Sequence, residues 1–252
     1  IGIGCIVPHP MMGFGGGAKI ILPGIASLNA IERNHADLGG YVKGSAPHPT
    51  TGWDKNEGNV LRLDSEEFAR ISGLHLKIDV LVNGYNESIG IFSGDVVEEQ
   101  RKGVEEGRRV YSSPMPENYD AVVLNTSAKA NEASLAISSW YPLLKEGTVA
   151  VLVANPPEGQ ITHYAYGKFG KNRVGTIFNP PQPLEKLKRL IIYSEYPEVD
   201  PQLPIARKED MTWIKDWNEV LEVVEAEVGK RDVRIAVIPN AEIQRPHLSN
   251  KL

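Results

Sequence analysis

The sequence predicts an α/β protein with two α/β lobes, the second a mostly parallel sheet flanked by helices. In the later part of the chain, apolar strand-like segments alternate with helical ones: strands at 119–124, 148–154, 190–193 and 233–238, and helices at 130–144 and 211–228. Such alternation is typical of a parallel sheet covered by helices. In the earlier part, 76–83 and 88–92 flank a turn at Gly84 and predict a β-hairpin. We expect the active site in the cleft between the lobes.

A stiff connector, Pro114-Met115-Pro116, indicates where the two lobes divide. We place the first domain at 1–113 and the second α/β domain at 117–240. The remaining residues, 241–252, form a C-terminal tail that we expect to return to the first domain. A length of 252 residues is sufficient for two ordinary domains.

Composition and charge exclude several classes of function. Hydrophobic residues at 41% and charged residues at 23% are typical of a soluble globular protein. The charge balance, 27 − 32 = −5, argues against a nucleic-acid partner. No apolar run approaches the length of a membrane span, so we expect no membrane partner. The single cysteine, Cys5, favours a reducing cytoplasm, and its place in an apolar strand at 3–7 predicts a buried, inert thiol.

Local signals predict two further helices and their surroundings. Asp64 with Glu67 resembles a capping box and predicts a helix closed by Gly73, with Arg62 as a solvated or hydrogen-bonded surface group beside it. Gly94-Asp95 begins a second, charged helix. In the later lobe, the helix at 211–228 is expected to bury a stripe of large side chains at helical spacing: Trp213, Trp217 and Leu221.

The most informative stretch is a glycine-rich turn after the first strand, where residues 8–19 read PHPMMGFGGGAK. The two prolines restrict the backbone around His9, and three successive glycines let a ligand or another backbone approach closely. Two standard nucleotide motifs do not fit. Ala18 and Ile20 replace the glycine and hydroxyl residue of a Walker loop, and the prolines interrupt the turn of a dinucleotide fingerprint. A simple chain reversal remains the alternative to a ligand site.

The same stretch resembles the signature of the nickel-pincer lactate racemase family. That signature combines His-Pro-x-x-Gly-x-x-Gly-Gly-Ala-Lys with a later Pro-Gly and an Asn-His pair. This chain carries HPMMGFGGGAK at 9–19, then Pro23-Gly24 and Asn34-His35. Both spacings, from the first histidine to the lysine and from the lysine to the second histidine, are kept. The resemblance is specific at 9–35 and weak after Pro114.

The resemblance implies a racemase or epimerase of a 2-hydroxy acid that works by hydride transfer. Lys19 would be covalently attached to a nickel-pincer nucleotide, a pyridinium mononucleotide bearing a thioamide and a thiocarboxylate. His35 would complete the coordination of its nickel, and His9 would be one of two acid/base histidines. Further cofactor contacts would come from four residues of the turn: Met11, Gly15, Gly16 and Gly17. Family members carry a preceding segment with the second histidine, so we expect a missing N-terminal segment or a companion chain to complete the site.

Two other functions stay open. A nicotinamide-dependent oxidoreductase would use the later lobe, although no dinucleotide fingerprint follows residue 124 or 154. A non-catalytic family member would keep the fold without the chemistry. The segment 125–129 offers hydroxyls and an amine for a phosphate or a substrate carboxylate, or it caps the following helix. His48 in a zinc site with the other two histidines fits no compact spacing, and we expect His48 and Trp53 to line a loop. The loop-rich stretch at 155–181 predicts a lid.

Overall fold

The computed structural model describes residues 1–42, 45–160, 184–196 and 210–247. These residues divide into two compact units, Ile1–Ser112 and a second unit from Ser113 onward. The predicted lid at 155–181 lies mostly outside the described residues. Within the described residues, no helix is both long and apolar enough to cross a membrane.

The described residues of the first unit, 1–42 and 45–112, form six strands and three α-helices. The strands are β1 (Gly2–Cys5), β2 (Pro8–His9), β3 (Met12–Phe14), β4 (Gly52–Trp53), β5 (Lys77–Val82) and β6 (Ser88–Gly94). The α-helices are α1 (Leu28–Glu32), α2 (Val60–Ile71) and α3 (Glu98–Val110). A short 3-10 helix covers Gly17–Ile20, and a π-helix, Arg33–Leu38, continues α1.

The main sheet of the first unit has the order β1-β5-β6. β1 runs parallel to β5, and β5 and β6 form the antiparallel hairpin that the sequence predicts. A smaller sheet, β2-β3-β4, begins with a tight hairpin in which His9 lies opposite Gly13. The glycine-rich turn therefore connects two sheets, and its course is set by both.

The prediction that strand 3–7 is buried throughout is wrong for β1. β1 is an edge strand whose alternate side chains point away from the unit, so Ile3 is 69% exposed and Cys5 is also exposed. Ile91 of the other edge strand, 70% exposed, is in register with Val80 on β5. We call these outward-facing residues of the main sheet the open sheet face: Ile3, Cys5, Val80 and Ile91. On the opposite face, Lys77, Asp79 and Leu81 are fully buried.

The second unit is built on a five-stranded sheet in the order β11-β10-β9-β8-β12, in which every neighbouring pair is parallel. Its strands are β7 (Ser112–Pro114), β8 (Ala121–Asn125), β9 (Thr148–Val153), β10 (Leu187–Tyr193), β11 (Met211–Ile214), β12 (Ile235–Ile238) and β13 (Arg245–His247). Its helices are α4 (Ser134–Trp140) and α5 (Trp217–Val228), with 3-10 turns at Ala130–Glu132 and Tyr141–Leu143. One sheet face packs on α4 through Trp140, and the other packs on α5. This confirms the predicted parallel sheet flanked by helices.

The helix predicted at 211–228 is wrong over its first residues. Met211–Ile214 is a strand paired with β10, and the helix begins only after Asp216, whose carboxylate accepts hydrogen bonds from the amides of Asn218 and Glu219. The helix phase therefore differs from the expected one, and Val220 and Val224 face the sheet. Trp217 remains 36% exposed, at the edge of the Tyr193 ring.

The described part of the C-terminal tail packs on the second unit. The carbonyl of Ala241 accepts a 3.0 Å hydrogen bond from the Trp140 indole N–H. β13 then pairs with β7, and the amide of Met115 donates to the carbonyl of His247.

Candidate functional site

His9 is fixed by the β2–β3 hairpin. Its Nδ1 accepts hydrogen bonds from the backbone amides of Met11 at 3.2 Å and Met12 at 3.1 Å. A ring nitrogen that accepts carries no proton, so the neutral imidazole of His9 bears its proton on Nε2. The half-buried ring thus has a defined tautomer as well as a defined direction.

The glycines of the turn serve packing against the protein itself. Gly16 has φ 71° and ψ −170°, a backbone conformation that is essentially restricted to glycine. A Cβ there would lie 2.5 Å from Cγ1 of Ile6 and 2.6 Å from Oδ2 of Asp79. At Gly17, φ is 58° and a Cβ would lie 2.8 Å from Cγ of Gln100. The Cβ directions of Gly16 and Gly17 therefore point into protein, which favours close approach of the chain itself over close approach of a ligand on these sides.

Lys19 is the third residue of the 3-10 helix that follows these glycines. Its own amide donates to the carbonyl of Gly16 at 3.4 Å, and the amide of Leu22 donates to the carbonyl of Ala18 at 3.2 Å. Ala18 and Leu22 are buried, whereas Lys19 is half-buried. The lysine side chain therefore starts from a backbone that is anchored on both sides.

His35 lies in the π-helix and is only 4% exposed. Its Nδ1 is 3.1 Å from the carbonyl oxygen of Ile31, four residues earlier, and must donate because a carbonyl only accepts. The neutral ring therefore carries its lone pair on Nε2. Histidines that bind metals are commonly oriented by such a bond from the second ring nitrogen. Single-turn π-helices also occur frequently at functional sites.

Asn34 ties the π-helix to α2. Its side-chain amide donates to the carbonyl of Leu61 at 3.1 Å and to the carboxylate of Asp64 at 2.9 Å. Asp64 is thus not the helix cap that the sequence suggests. Asn59 caps α2 instead, because its Oδ1 accepts from the amides of Leu61 and Arg62. The helix consequently begins five residues earlier than predicted.

Four buried side chains that the sequence analysis did not assign to the site bind the peptide groups of the turn. The side-chain amide of Asn59 donates to the Met11 carbonyl at 2.9 Å, and that of Gln100 donates to the Gly15 carbonyl at 3.2 Å. The other two bonds join the Arg62 guanidinium to the Phe14 carbonyl and the Gly17 amide to Asp79 Oδ2. We call these residues the turn scaffold: Asn59, Arg62, Asp79 and Gln100. Each of these residue types can form such a bond. The sequence did not reveal these four because they lie far from the turn along the chain.

Arg62 is hydrogen-bonded, but the expectation that it lies at the surface is wrong. Arg62 is 2% exposed, and its burial lowers the pKa of the guanidinium to about 10. It remains charged at neutral pH and is surrounded by carboxylates, including that of Glu66. A buried cation is retained at such a cost only where it is paired and hydrogen-bonded.

A buried charge cluster lies next to the glycines. Lys77 and Asp79 are both fully buried and form an ion pair. Glu99 on α3 is 2% exposed, and burial, followed by the nearby Asp79 carboxylate, raises the pKa of Glu99 to about 8. Glu99 is therefore largely protonated at neutral pH, and the cluster then carries one positive and one negative charge.

Met11, expected to contact a cofactor, is 6% exposed and packs with Met12 and Leu61. Its backbone supplies one hydrogen bond to His9 and receives another from the turn scaffold. Gly15 has only ordinary contacts around its Cβ direction, with the Cys5 carbonyl oxygen at 3.4 Å.

His48 has a local structural role. Its Nδ1 accepts from the Thr50 amide at 3.3 Å and lies 2.9 Å from the Thr50 hydroxyl. Among the described residues, no three side chains of histidine, cysteine, aspartate or glutamate are grouped so that they could hold a metal ion. A zinc site built from His9, His35 and His48 therefore gains no support. Trp53 lies in β4, beside Gly13 of β3.

The segment 125–129 of the second unit does not present its amides to a ligand. One carboxylate oxygen of Glu242 accepts hydrogen bonds from the amides of Ser127 and Lys129, both at 2.9 Å. Glu242 is 1% exposed and lies beyond β12, the strand beside β8. Glu242 therefore occupies these two backbone amides. That the hydroxyls of the segment and the Lys129 amine hold a phosphate or a substrate carboxylate stays a prediction.

The chain has two α/β units and a glycine-rich turn with one histidine before it and one after it. These features indicate the class of protein with which it can be compared. Residues 1–42, which contain His9, Lys19 and His35, match the family model described as the lactate racemase N-terminal domain. The lactate racemase of Thermoanaerobacterium thermosaccharolyticum is 28% identical over 140 residues, which are 56% of this chain and 28% of that protein. The lactate racemase of Lactiplantibacillus plantarum is 28% identical over 160 residues, 62% of this chain and 36% of that protein.

Solved structures show the same fold. The lactate racemase apoprotein from T. thermosaccharolyticum matches 97% of this chain and 62% of its own, with a TM-score of 0.67 and 20% identity. A crystal structure of a Thermotoga maritima protein matches 97% of this chain and 66% of its own, with a TM-score of 0.55 and 16% identity. The chain is thus similar to lactate racemases and spans 28% and 36% of the curated relatives that it matches.

Proposed function

We propose that this chain is the cofactor-binding part of an isomerase that racemises or epimerises a 2-hydroxy acid. One observation carries the proposal: the segment 1–42, which matches the lactate racemase N-terminal domain, contains His9, Lys19 and His35. In this proposal Lys19 covalently holds a nickel-pincer nucleotide, and His35 binds its nickel. The name of the relatives, lactate racemase, supports the class of reaction and substrate.

The side chains of the first unit fit a group that brings most of its own metal donors. His35 offers one nitrogen, Nε2, oriented by the bond from Nδ1 to Ile31. A single imidazole is a poor nickel site by itself, but it would serve as the protein's donor if an organic ligand contributed soft sulfur donors. When bound, such a group supplies a hydride acceptor, which avoids a carbanion beside the substrate carboxylate.

In this proposal, the His9 ring donates a hydrogen bond to the substrate oxygen. Because two backbone amides bind Nδ1, the neutral ring offers Nε2–H and stabilises negative charge on that oxygen. To accept a proton at Nε2, the imidazole has to release the amides of Met11 and Met12 and turn toward solvent, where Nε2 gives up its proton to water and Nδ1 takes one from water. We propose that His9 alternates between these two orientations, and that a second histidine from a missing segment or companion chain acts on the other face.

The nicotinamide alternative gains no support from the second unit. The carboxyl edge of its sheet between β8 and β12 is where such folds bind ligands. There Glu242 binds the amides of Ser127 and Lys129, and the Ala241 amide donates to the Asn125 carbonyl at 2.8 Å.

We place the racemase in a reducing cytoplasm, where its single cysteine, exposed on β1, stays a thiol.

The test is the intact mass of protein produced together with the enzymes that make the cofactor. We expect the wild-type chain to gain the mass of the organic group and a visible absorbance, and Lys19→Ala to gain neither. Lys55→Ala, which removes an exposed lysine of the same unit, is the matched control and should keep the adduct. An adduct of unchanged mass on Lys19→Ala would overturn the proposal.

A further inference from the structure

The peptide that precedes Lys19 is bound by a carboxylate from the middle of the main sheet. The Gly17 amide donates to Oδ2 of Asp79 at 2.5 Å, across 62 residues of sequence. Gly17 begins the 3-10 helix in which Lys19 is the third residue. The bond therefore fixes the start of the short helix that carries the lysine.

The surroundings of Asp79 are shaped around this bond. A Cβ at Gly4 would lie 2.9 Å from Oδ1 of Asp79, and a Cβ at Gly16 would lie 2.6 Å from its Oδ2. Two glycines, one on β1 and one in the turn, thus leave room for a single carboxylate. The glycine-rich turn and Asp79 together form one structural unit, although they are far apart in sequence.

Lys77 holds the charge of Asp79 in place. It lies two residues earlier on the same face of β5, pairs with Oδ1 and also donates to the Ile78 carbonyl at 3.2 Å. Both side chains are fully buried, and a buried ion pair contributes little net stability compared with apolar residues of the same volume. Its distinctive effect here is to direct the second carboxylate oxygen at the Gly17 amide.

We propose that Asp79 is a positioning residue for Lys19, which acts through the Gly17 amide and is held in place by Lys77. This inference rests on the proposed function, because it concerns the lysine that is to carry the cofactor. A fixed backbone reduces the conformational freedom that Lys19 must lose before its amine reaches a bound nucleotide. The role requires an acceptor oxygen at position 79, not a charge.

Two double variants separate these requirements. Lys77→Met with Asp79→Asn removes both charges but keeps an acceptor oxygen for Gly17. Lys77→Met with Asp79→Leu removes the charges and the acceptor, and replaces the pair with apolar groups, which buried sites usually tolerate. Two readouts are made on each folded protein: hydrogen exchange of the Gly17 amide, and the fraction of chains with the cofactor mass on Lys19 after production with the cofactor-forming enzymes.

We expect the leucine variant to exchange the Gly17 amide at least tenfold faster than wild type and to carry less than a tenth of its adduct. The asparagine variant should stay within about threefold of wild type in both, since a neutral hydrogen bond replaces a charged one. Leu81→Ala, a cavity on the same face of β5, is the control for lost stability and should keep its adduct. The three variant proteins are the leucine variant, the asparagine variant and Leu81→Ala. If the fraction of chains with the adduct falls in proportion to the loss of thermal stability in all three, Asp79 has only a structural role and the inference fails.

The outcome also distinguishes this inference from the proposed function. If wild-type protein gains no mass at Lys19, the proposed function fails, and the exchange rates alone decide whether Asp79 fixes the turn. If wild type carries the adduct and the leucine variant keeps both the adduct and slow Gly17 exchange, the proposed function stands and the positioning role is overturned.

Discussion

His35 and His9 present the same ring nitrogen, Nε2, in opposite protonation states, and the hydrogen bonds at Nδ1 determine the difference. A carbonyl binds Nδ1 of His35, so Nε2 offers a lone pair, whereas amides bind Nδ1 of His9, so Nε2 offers a proton. A lone pair suits a metal ligand, and a proton suits a contact with substrate oxygen. Two residues of one type are thus prepared for different chemistry by their neighbours.

His35→Ala tests the metal assignment. We expect the variant to keep the organic adduct on Lys19 but to lose most of its nickel, because one metal donor is removed. Nickel per adduct, measured by elemental analysis and intact mass, gives the answer. His48→Ala is the matched control, and a nickel loss equal to that of His35→Ala would contradict the assignment.

His9→Asn tests the role of the first histidine. Asparagine can donate a hydrogen bond but cannot exchange a proton near neutral pH, so racemisation should fall by at least about two orders of magnitude. Cofactor and nickel should remain, because His9 anchors neither of them in the proposal. The assay uses the protein with its completing segment present, and near-normal turnover by the loaded variant would rule out the role.

Glu99→Gln tests the buried charge cluster. Folding raises the pKa of Glu99 from 4.5 to about 8, so the folded state keeps a proton that the unfolded state loses between these values. The free energy of unfolding should therefore decrease as the pH rises through that range. Glu99→Gln should flatten this decrease, measured by urea unfolding at pH 5 and pH 8. Glu98→Gln, an exposed neighbour, should leave the slope unchanged.

The glycine-rich turn is held by packing and hydrogen bonds as one element. Gly16→Ala tests this against Gly58→Ala, because both glycines have φ near 70° but no atom lies near the Cβ position of Gly58. Gly58→Ala should lose about 1 kcal/mol to backbone strain, and Gly16→Ala at least as much, because its ψ of −170° lies in a region that is essentially restricted to glycine. Gly16→Ala should lose roughly 1–3 kcal/mol more through its collisions with Ile6 and Asp79, measured by chemical denaturation. Equal losses of unfolding free energy in the two variants would show that the turn rearranges to accommodate the added methyl group.

Local sequence signals predicted most helices and strands, because these elements are determined largely by residues that are close in the sequence. The β5–β6 hairpin and the parallel strands follow from apolar patterns and turns, and Asp95 accepts from the Val97 and Glu98 amides at the start of α3. The turn scaffold could not be predicted in this way. Gln100 binds a carbonyl 85 residues away, and no periodicity records such a partner. The strand at Met211–Ile214 was missed because it is defined by pairing with β10, a strand that is not adjacent to it in the sequence.

The two units contribute differently to the proposed activity. The first holds the segment that matches the lactate racemase N-terminal domain, together with the scaffold that fixes its turn. The second is built on a parallel sheet, and Glu242 binds two amides that follow β8 at its carboxyl edge. A chain that spans 28% and 36% of its curated relatives and still builds both units carries a large part of the fold, but we expect catalysis to need further residues.

The open sheet face sets how the isolated chain should behave at high concentration. Ile3 and Ile91 lie on strands at the two margins of one sheet, and each is at least 69% exposed. Apolar surface beside unpaired strand margins promotes reversible self-association. Sedimentation velocity of the purified chain should therefore show a concentration-dependent shift to larger species. Ile91→Lys should suppress it, whereas Ile71→Lys, 79% exposed at the end of α2, should not. Concentrated preparations of this chain would then keep longer when a single lysine replaces Ile91 on the open sheet face.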